Sequence, residues 1–212
     1  MTWQPRLPQE IEAESFRRIE ARAGSHSLPP EVWFVVRRLI HTTADLDYLE
    51  TVRVHPRAIA AGVQALRQGR PVGTDTRMLL SGIATGRLQR LGVEAFCLMA
   101  DPEVAEAARR QGTTRAAAAM EKALPLLADG IVAIGNAPTA LLRLLELLEA
   151  GAAAPALVVG MPVGFVNAAE SKELLARQPI PYITALGPKG GSAAAASVIN
   201  ALAIMALEEM PS

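Results

Sequence analysis

Cysteine is nearly absent. Cys97 is the only one in 212 residues, which excludes an internal disulfide and any multi-cysteine metal or cluster site. A reducing, cytoplasmic setting is the expectation that follows. Aromatics are scarce too, with 4 Phe, 2 Trp and 2 Tyr, so the chain offers neither an aromatic core nor a row of base-stacking platforms. Ala and small aliphatics must fill the interior. Net charge is missing: Lys+Arg and Asp+Glu both number 21, so no chain-wide positive field exists to hold a nucleic-acid backbone. A polyanionic ligand has to meet a local basic cluster. The N-terminal stretch lacks the apolar run of a secretory signal, and Glu10, Glu12 and Glu14 speak against a transit peptide. The longest weakly polar stretch, Gly191 to Leu207, carries Ser192, Ser197 and Asn200, which suits a buried helix and not a membrane span. Walker A, GxGxxG, HExxH and GxSxG patterns do not occur.

What is there is half apolar and 20% charged, with 16 Gly and 15 Pro, the profile of one α/β domain spanning residues 1–212. Hydrophobic periodicity predicts a helix from about Gln9 to Ala23. A second, from Pro30, has Val32, Val35, Val36, Leu39 and Ile40 forming a complete i, i+3, i+4, i+7, i+8 stripe. His41 falls away from that stripe, on the side of Phe34, Arg37 and Arg38. The rest alternates. The predicted strands are TVRV (Thr51 to Val54), PVGTD (ending at Asp75), VEAFCLMA, IVAIG, ALVVG and PYITALG. They are separated by helices, among them EVAEAARRQ, N-capped by Asp101, and a last one reaching Glu209. Such alternation predicts a mostly parallel sheet with helices on both faces, with ligands beyond the carboxyl ends of the strands.

Those strand ends and the second helix carry the candidate chemistry. His41 is followed by Thr42, Thr43, Asp45 and Asp47, so its imidazole stands at a helix end among hydroxyls and carboxylates able to tune its proton affinity. The plain alternative is a capping histidine favoured by the helix dipole. Lys189, Gly190 and Ser192 lie in LGPKGGS, a strand-to-helix turn that reads either as an anion cradle or as an ordinary tight turn. Arg115 follows two threonines at a helix start, placed there by indifference or for a carboxylate ligand. Cys97 reads as a buried small apolar residue.

The blocks FRRIEARA, VVRRLIHTTADLDY, GTDTRMLLSGI, TTRAAAAMEKAL, GNAPTALLRLLEL, VVGMPVGFVNAAESKELL and KGGSAAAASVINAL cover nearly the whole chain in order. Together they resemble the precorrin-8X methylmutase family of cobalamin biosynthesis. The chain departs from the family pattern at Pro188, where a basic residue is expected before Lys189. The resemblance implies a cofactor-free, homodimeric isomerase that moves a methyl group from C-11 to C-12 of a ring-contracted tetrapyrrole, giving hydrogenobyrinic acid. It implies His41 as the acid/base residue, Ser15 and Arg115 as substrate contacts, and Thr42, Thr43, Lys189 and Ser192 around them. Arg38, Asp75 and Gly190 complete the expected substrate-binding set, with no metal site. A ring bearing acetate and propionate arms needs a wide cavity rimmed by cations, for which Arg17, Arg18, Arg37, Arg38, Arg115 and Lys189 are available. Tetrapyrrole substrate and product are the expected partners, with hand-over to other enzymes of the same pathway. Neither nucleic acid nor membrane is expected. Three readings compete with the metal-free isomerase: a corrinoid carrier without chemistry, an isomerase acting on the cobalt-containing ring, and a phosphate-ligand enzyme using the KGGS turn.

Overall fold

The computed structural model describes residues 7–207. In chain order the elements are α1 (Pro8–Ala23), α2 (Pro30–Thr43), α3 (Tyr48–Thr51), β1 (Val52–Val54), α4 (Ala58–Arg67), β2 (Val72–Thr74), α5 (Arg77–Gly82), α6 (Thr85–Arg90) and β3 (Ala95–Phe96). There follow α7 (Pro102–Gln111), α8 (Arg115–Ala123), a 3-10 turn at Leu124–Leu127, β4 (Ile131–Ile134), α9 (Pro138–Glu149), β5 (Leu157–Gly160), α10 (Ala168–Ala176), β6 (Tyr182–Ala185) and α11 (Ser192–Leu207). The strands form one six-stranded sheet in the order β1-β6-β5-β4-β2-β3, parallel throughout except for β1, which pairs antiparallel with β6. The expected mostly parallel α/β sheet is the one observed.

Strand alternation explains the two layers. Along β4, Ile131 and Ala133 face a core with residues of α2, α4, α5 and α11, whereas Val132 and Ile134 face α8, α9 and α10. β5 repeats the split with Leu157 and Val159 against Val158. Every one of these side chains is buried, as a sheet covered on both faces requires. Ala-rich α11 lies between the sheet and α2, and Ala195, Ala201 and Ala203 are wholly enclosed there. Small side chains let the helices come close, which is how a chain poor in aromatics builds its interior. The stripe of α2 is buried at Val35, Val36, Leu39 and Ile40 and half-buried at Val32. Each such burial contributes about 1.5–3 kcal/mol.

Several expectations change in detail. Thr51 closes a short helix and does not begin β1. The strand expected over VEAFCLMA pairs only at Ala95 and Phe96, and Cys97 is half-buried, not enclosed. An additional helix, α6, occupies the stretch before it, and the helix expected over TRAAAAMEKALPLLA ends at Ala123, where Pro125 turns the chain into a 3-10 turn. Asp101 caps α7, accepting from the Glu103 N–H at 2.9 Å. Glu208 and Glu209, the expected end of the last helix, and the first six residues of the N-terminal stretch lie outside the described residues. Among the described residues no helix is long and apolar enough to cross a membrane.

Candidate active site

Parallel strands bring their carboxyl ends to one edge, and the order of the sheet reverses between β2 and β4. At that reversal Asp75 follows β2 and is 3% exposed. Its Oδ1 accepts from the Gly135 N–H at 2.9 Å, and its Oδ2 accepts from the N–H groups of Asn136 and Ala137, both at 2.8 Å. Burial raises its pKa, and the three backbone donors oppose that rise. Asp75 thus fastens the start of α9 to β2. Both of its oxygens are occupied by main-chain donors and the side chain is enclosed, which places this expected substrate contact within the scaffold of the strand ends.

The 187–191 turn packs against the end of β5. The N–H of Gly191 donates to the Met161 carbonyl at 2.9 Å, and the N–H of Gly164 donates to the Pro188 carbonyl at 3.1 Å. A Cβ at Gly190 would stand 2.3 Å from the Met161 oxygen. Close approach of the protein's own backbone is enough to require glycine here. Ser192 is also engaged: its hydroxyl lies 3.0 Å from that of Thr76, which caps α5 by accepting from the Leu79 N–H.

Lys189 was expected as a free rim cation. Instead its ammonium donates to Asp45 Oδ2 and Asp47 Oδ2, each at 2.6 Å. These bonds hold the Asp45 carboxyl below the ordinary carboxylate range and push the Lys189 ammonium pKa up. The ion pair ties the turn before α11 to the chain leaving α2. That exit is tightly folded. Ala44 adopts a left-handed conformation with φ 55°, its N–H donates to the Ile40 carbonyl at 2.7 Å, and Asp45 Oδ1 accepts from the Asp47 N–H at 3.0 Å.

His41 stands on the last turn of α2, exposed, as its place off the apolar stripe predicts. Its ring lies 5.2 Å from that of Phe16 on α1. The guanidinium of Arg37 covers Phe16 at 4.4 Å and that of Arg38 lies at 5.2 Å from the same ring and 5.0 Å from Phe34. Arg37 is paired with Glu20, and Arg38 with Glu12 at 3.2 Å. Phe16 is thus a shared platform for one imidazole and two cations. Ser15, half-buried, adjoins it in α1, Thr42 is exposed beside His41, and the Thr43 hydroxyl donates back to the Leu39 carbonyl at 2.8 Å. Arg115 is exposed at the start of α8, on the other layer of helices, and makes no ion pair with another described residue. The Thr114 hydroxyl beside it lies 2.8 Å from that of Thr139.

A cavity of about 500 Å³ opens beside His41, lined by Pro8, Gln9, Ile11 and Glu12. A larger cavity, about 830 Å³, lies elsewhere, between α2, β1 and α4, with Val32, Val54, Ile59, Val63 and Met205 among its walls. Size does not mark the site here, because the larger cavity is apolar and holds no residue of the His41 cluster.

The sequence model of the precorrin-8X methylmutase (CbiC) family matches residues 10–205. The chain belongs to this family. Membership makes it an enzyme of the methyl-migrating isomerase kind. The cobalt-precorrin-8 methylmutase of Leptospira interrogans is 44% identical over 207 residues, with 94% of each chain covered. The precorrin-8X methylmutase of Pseudomonas aeruginosa is 42% identical, covering 92% of this chain and 94% of its own. A crystal structure of a precorrin-8X methylmutase from Thermus thermophilus superposes with a TM-score of 0.86 at 45% identity, covering 93% of this chain and 96% of that one.

Lys172 and Phe16 were not singled out from the sequence. For Lys172 the signal was present: Ala168, Ser171, Lys172 and Leu175 fall at i, i+3, i+4 and i+7 and form the buried side of α10. Phe16 lies within the helix predicted from Gln9 to Ala23 and carries no further signal there. Its role emerges from the crossing of α1 over α2, which spacing does not encode.

Proposed function

We propose that the chain converts precorrin-8X into hydrogenobyrinic acid by a 1,5-sigmatropic shift in cobalamin biosynthesis, with His41 as the acid. The C-11 to methyl bond breaks as the C-12 to methyl bond forms, so no external reagent is consumed. The His41 imidazolium donates a proton to a nitrogen of ring C, makes the migration terminus more electron-poor, and recovers the proton afterwards. The observation that carries this reading is the exposed imidazole at the end of α2, backed by the Phe16 ring and opening on a cavity. Ser15, Thr42 and Arg115 are the groups we assign to the ring's polar arms, because their side chains are accessible and Arg115 has no described carboxylate partner. Thr43, Lys189, Gly190 and Ser192 hold the wall behind them through the bonds described above.

A macrocycle with its arms exceeds the space beside His41, and we propose that a second copy of the chain closes the site in a cytoplasmic homodimer. Uncovered apolar side chains support this: Phe165 is 97% and Val166 77% exposed. The product then passes to the next enzyme of the pathway.

His41→Ala tests the reaction. Incubated with purified precorrin-8X and followed by absorbance, it is expected to turn over about 10²–10⁴ more slowly than the parent chain, the range of positioned acid catalysis. Full turnover refutes the acid role, and binding of the ring without any spectral change by the parent chain would instead make the protein a carrier. A second reading, a cobalt-containing ring, is favoured by the name of the Leptospira relative. Faster turnover of the cobalt-loaded substrate than of the metal-free one would establish it.

A further inference from the structure

Among the described residues Lys172 is wholly buried, at 0% exposure, and its ammonium has one hydrogen-bond partner, the Lys189 carbonyl at 2.6 Å. A buried cation is expensive, and an apolar residue of similar volume at such a position is often neutral or stabilising. Its presence at this buried position calls for another use. The acceptor offers one, because Lys189 reaches in the opposite direction with its own ammonium to Asp45 and Asp47. Those residues lie four and six positions beyond His41, in the tight exit of α2. A continuous chain of charge-assisted hydrogen bonds therefore runs from the inside of α10, through the main chain and side chain of one residue, to the helix end that presents the imidazole. Other main-chain bonds, Gly164 to Pro188 and Gly191 to Met161, flank this contact without engaging the Lys189 carbonyl.

We propose that Lys172 is a positioning residue: its ammonium orients Lys189, and Lys189 in turn clasps Asp45 and Asp47 so that His41 is held in register with the strand-end wall. The kinetic part rests on the acid role of His41 proposed above, while the clasp itself is a statement about structure. A kinetic double-mutant cycle on the full chain tests both, using purified precorrin-8X and the variants Lys172→Met and Lys189→Ala, with amide exchange of residues 43–48 followed in the same proteins. Lys172→Met is expected to lower kcat about ten- to a hundredfold, the cost of a misplacement of about 1 Å. It should accelerate exchange at 43–48, and the double variant should be no slower than Lys189→Ala alone. An unchanged kcat with unchanged exchange overturns the proposal, as do losses that multiply in the double variant. If Lys172→Met fails to fold, Lys172→Gln takes its place with the same expectation, its amide being one bond too short to reach the carbonyl. Full turnover by His41→Ala would remove the acid role, and the exchange result would still decide the clasp.

Discussion

Replacing Gly190 by Ala adds one methyl group at the tightest backbone contact in the candidate site. The new Cβ would stand 2.3 Å from the Met161 oxygen, 2.9 Å from the Met161 carbonyl carbon and 2.9 Å from the Pro162 oxygen. All three are main-chain atoms, so no rotamer change relieves the overlap. Non-bonded heavy atoms settle near 3.5 Å or beyond, so the turn and the end of β5 must part by roughly 1 Å. That movement breaks the 2.9 Å bond from the Gly191 N–H to the Met161 carbonyl and strains the one from the Gly164 N–H to the Pro188 carbonyl. Overpacking costs about 1–3 kcal/mol and each lost bond about 0.5–1.5 kcal/mol, which gives a destabilisation of about 2–4 kcal/mol. For a chain of this size the fall in Tm is then roughly 5–15 °C. Gly86→Ala is the matched control: it lies in α6 with nothing within 4 Å of the added carbon, and removing a helical glycine should stabilise by about 0.5–1 kcal/mol. Calorimetry or urea unfolding of both variants checks the pair. A Gly190→Ala protein as stable as the parent refutes the close-approach argument, whatever its activity.

Asp75→Ala strips the acceptor from three N–H groups, two of them on the buried residues Gly135 and Ala137, and is expected to cost about 2–4 kcal/mol at neutral pH in urea unfolding. Because burial raises the Asp75 pKa, the folded state holds this proton more tightly than the unfolded chain. The added stability from that tighter proton is present below pH 3.8 and lost as pH rises through the folded value, while the three hydrogen bonds remain, so the gap between parent and variant should narrow over that window to its neutral-pH size. Lys172 behaves oppositely: burial lowers its pKa from 10.5 to about 8, so the unfolded chain binds the proton more tightly. Stability relative to Lys172→Met should therefore rise by up to about 3 kcal/mol between pH 8 and 10.5, as chemical denaturation across that range would show. Phe16→Leu keeps an apolar side chain but removes the ring shared by His41, Arg37 and Arg38. A loss of about 0.5–1.5 kcal/mol of aromatic interaction predicts a two- to tenfold lower kcat in steady-state assays.

Long periodic segments were legible in the sequence because burial imposes the period. The stripe of α2 and the apolar runs of β4 and β5 lie where the pattern puts them, and His41 emerges from the stripe because a helix has only one buried side. What failed was short or cooperative. α3 and α6 have four and six residues, too few for a period to show. β3 is cut to two residues because it is an edge strand bonded only to β2, and its length is fixed by that neighbour and not by its own β-forming residues. Asp75, Lys189 and Gly190 were all read as facing a ligand. Residue type and strand-end position are shared by groups that face outward and groups that tie one loop to the next, and only the partner's location distinguishes them.

That distinction changes the electrostatics of the site. A neutral chain that binds a ring with several carboxylate arms was expected to keep its cations free. Instead Arg17 and Arg18 are paired with Glu14, Arg37 with Glu20, Arg38 with Glu12, and Lys189 with Asp45 and Asp47. Exposed pairs of this kind contribute about 0–1 kcal/mol each, so a ligand carboxylate can exchange for a glutamate at small cost. The clasp at Lys189 is different, because one ammonium serves two aspartates in a backbone fold that is itself fixed, and opening it would release the end of α2. Around His41 the pairs of α1 and α2 are therefore the exchangeable part of the wall and Lys189 the fixed part. On this division, replacing Glu12 or Glu14 should tighten ring binding, whereas replacing Asp45 or Asp47 should impair turnover.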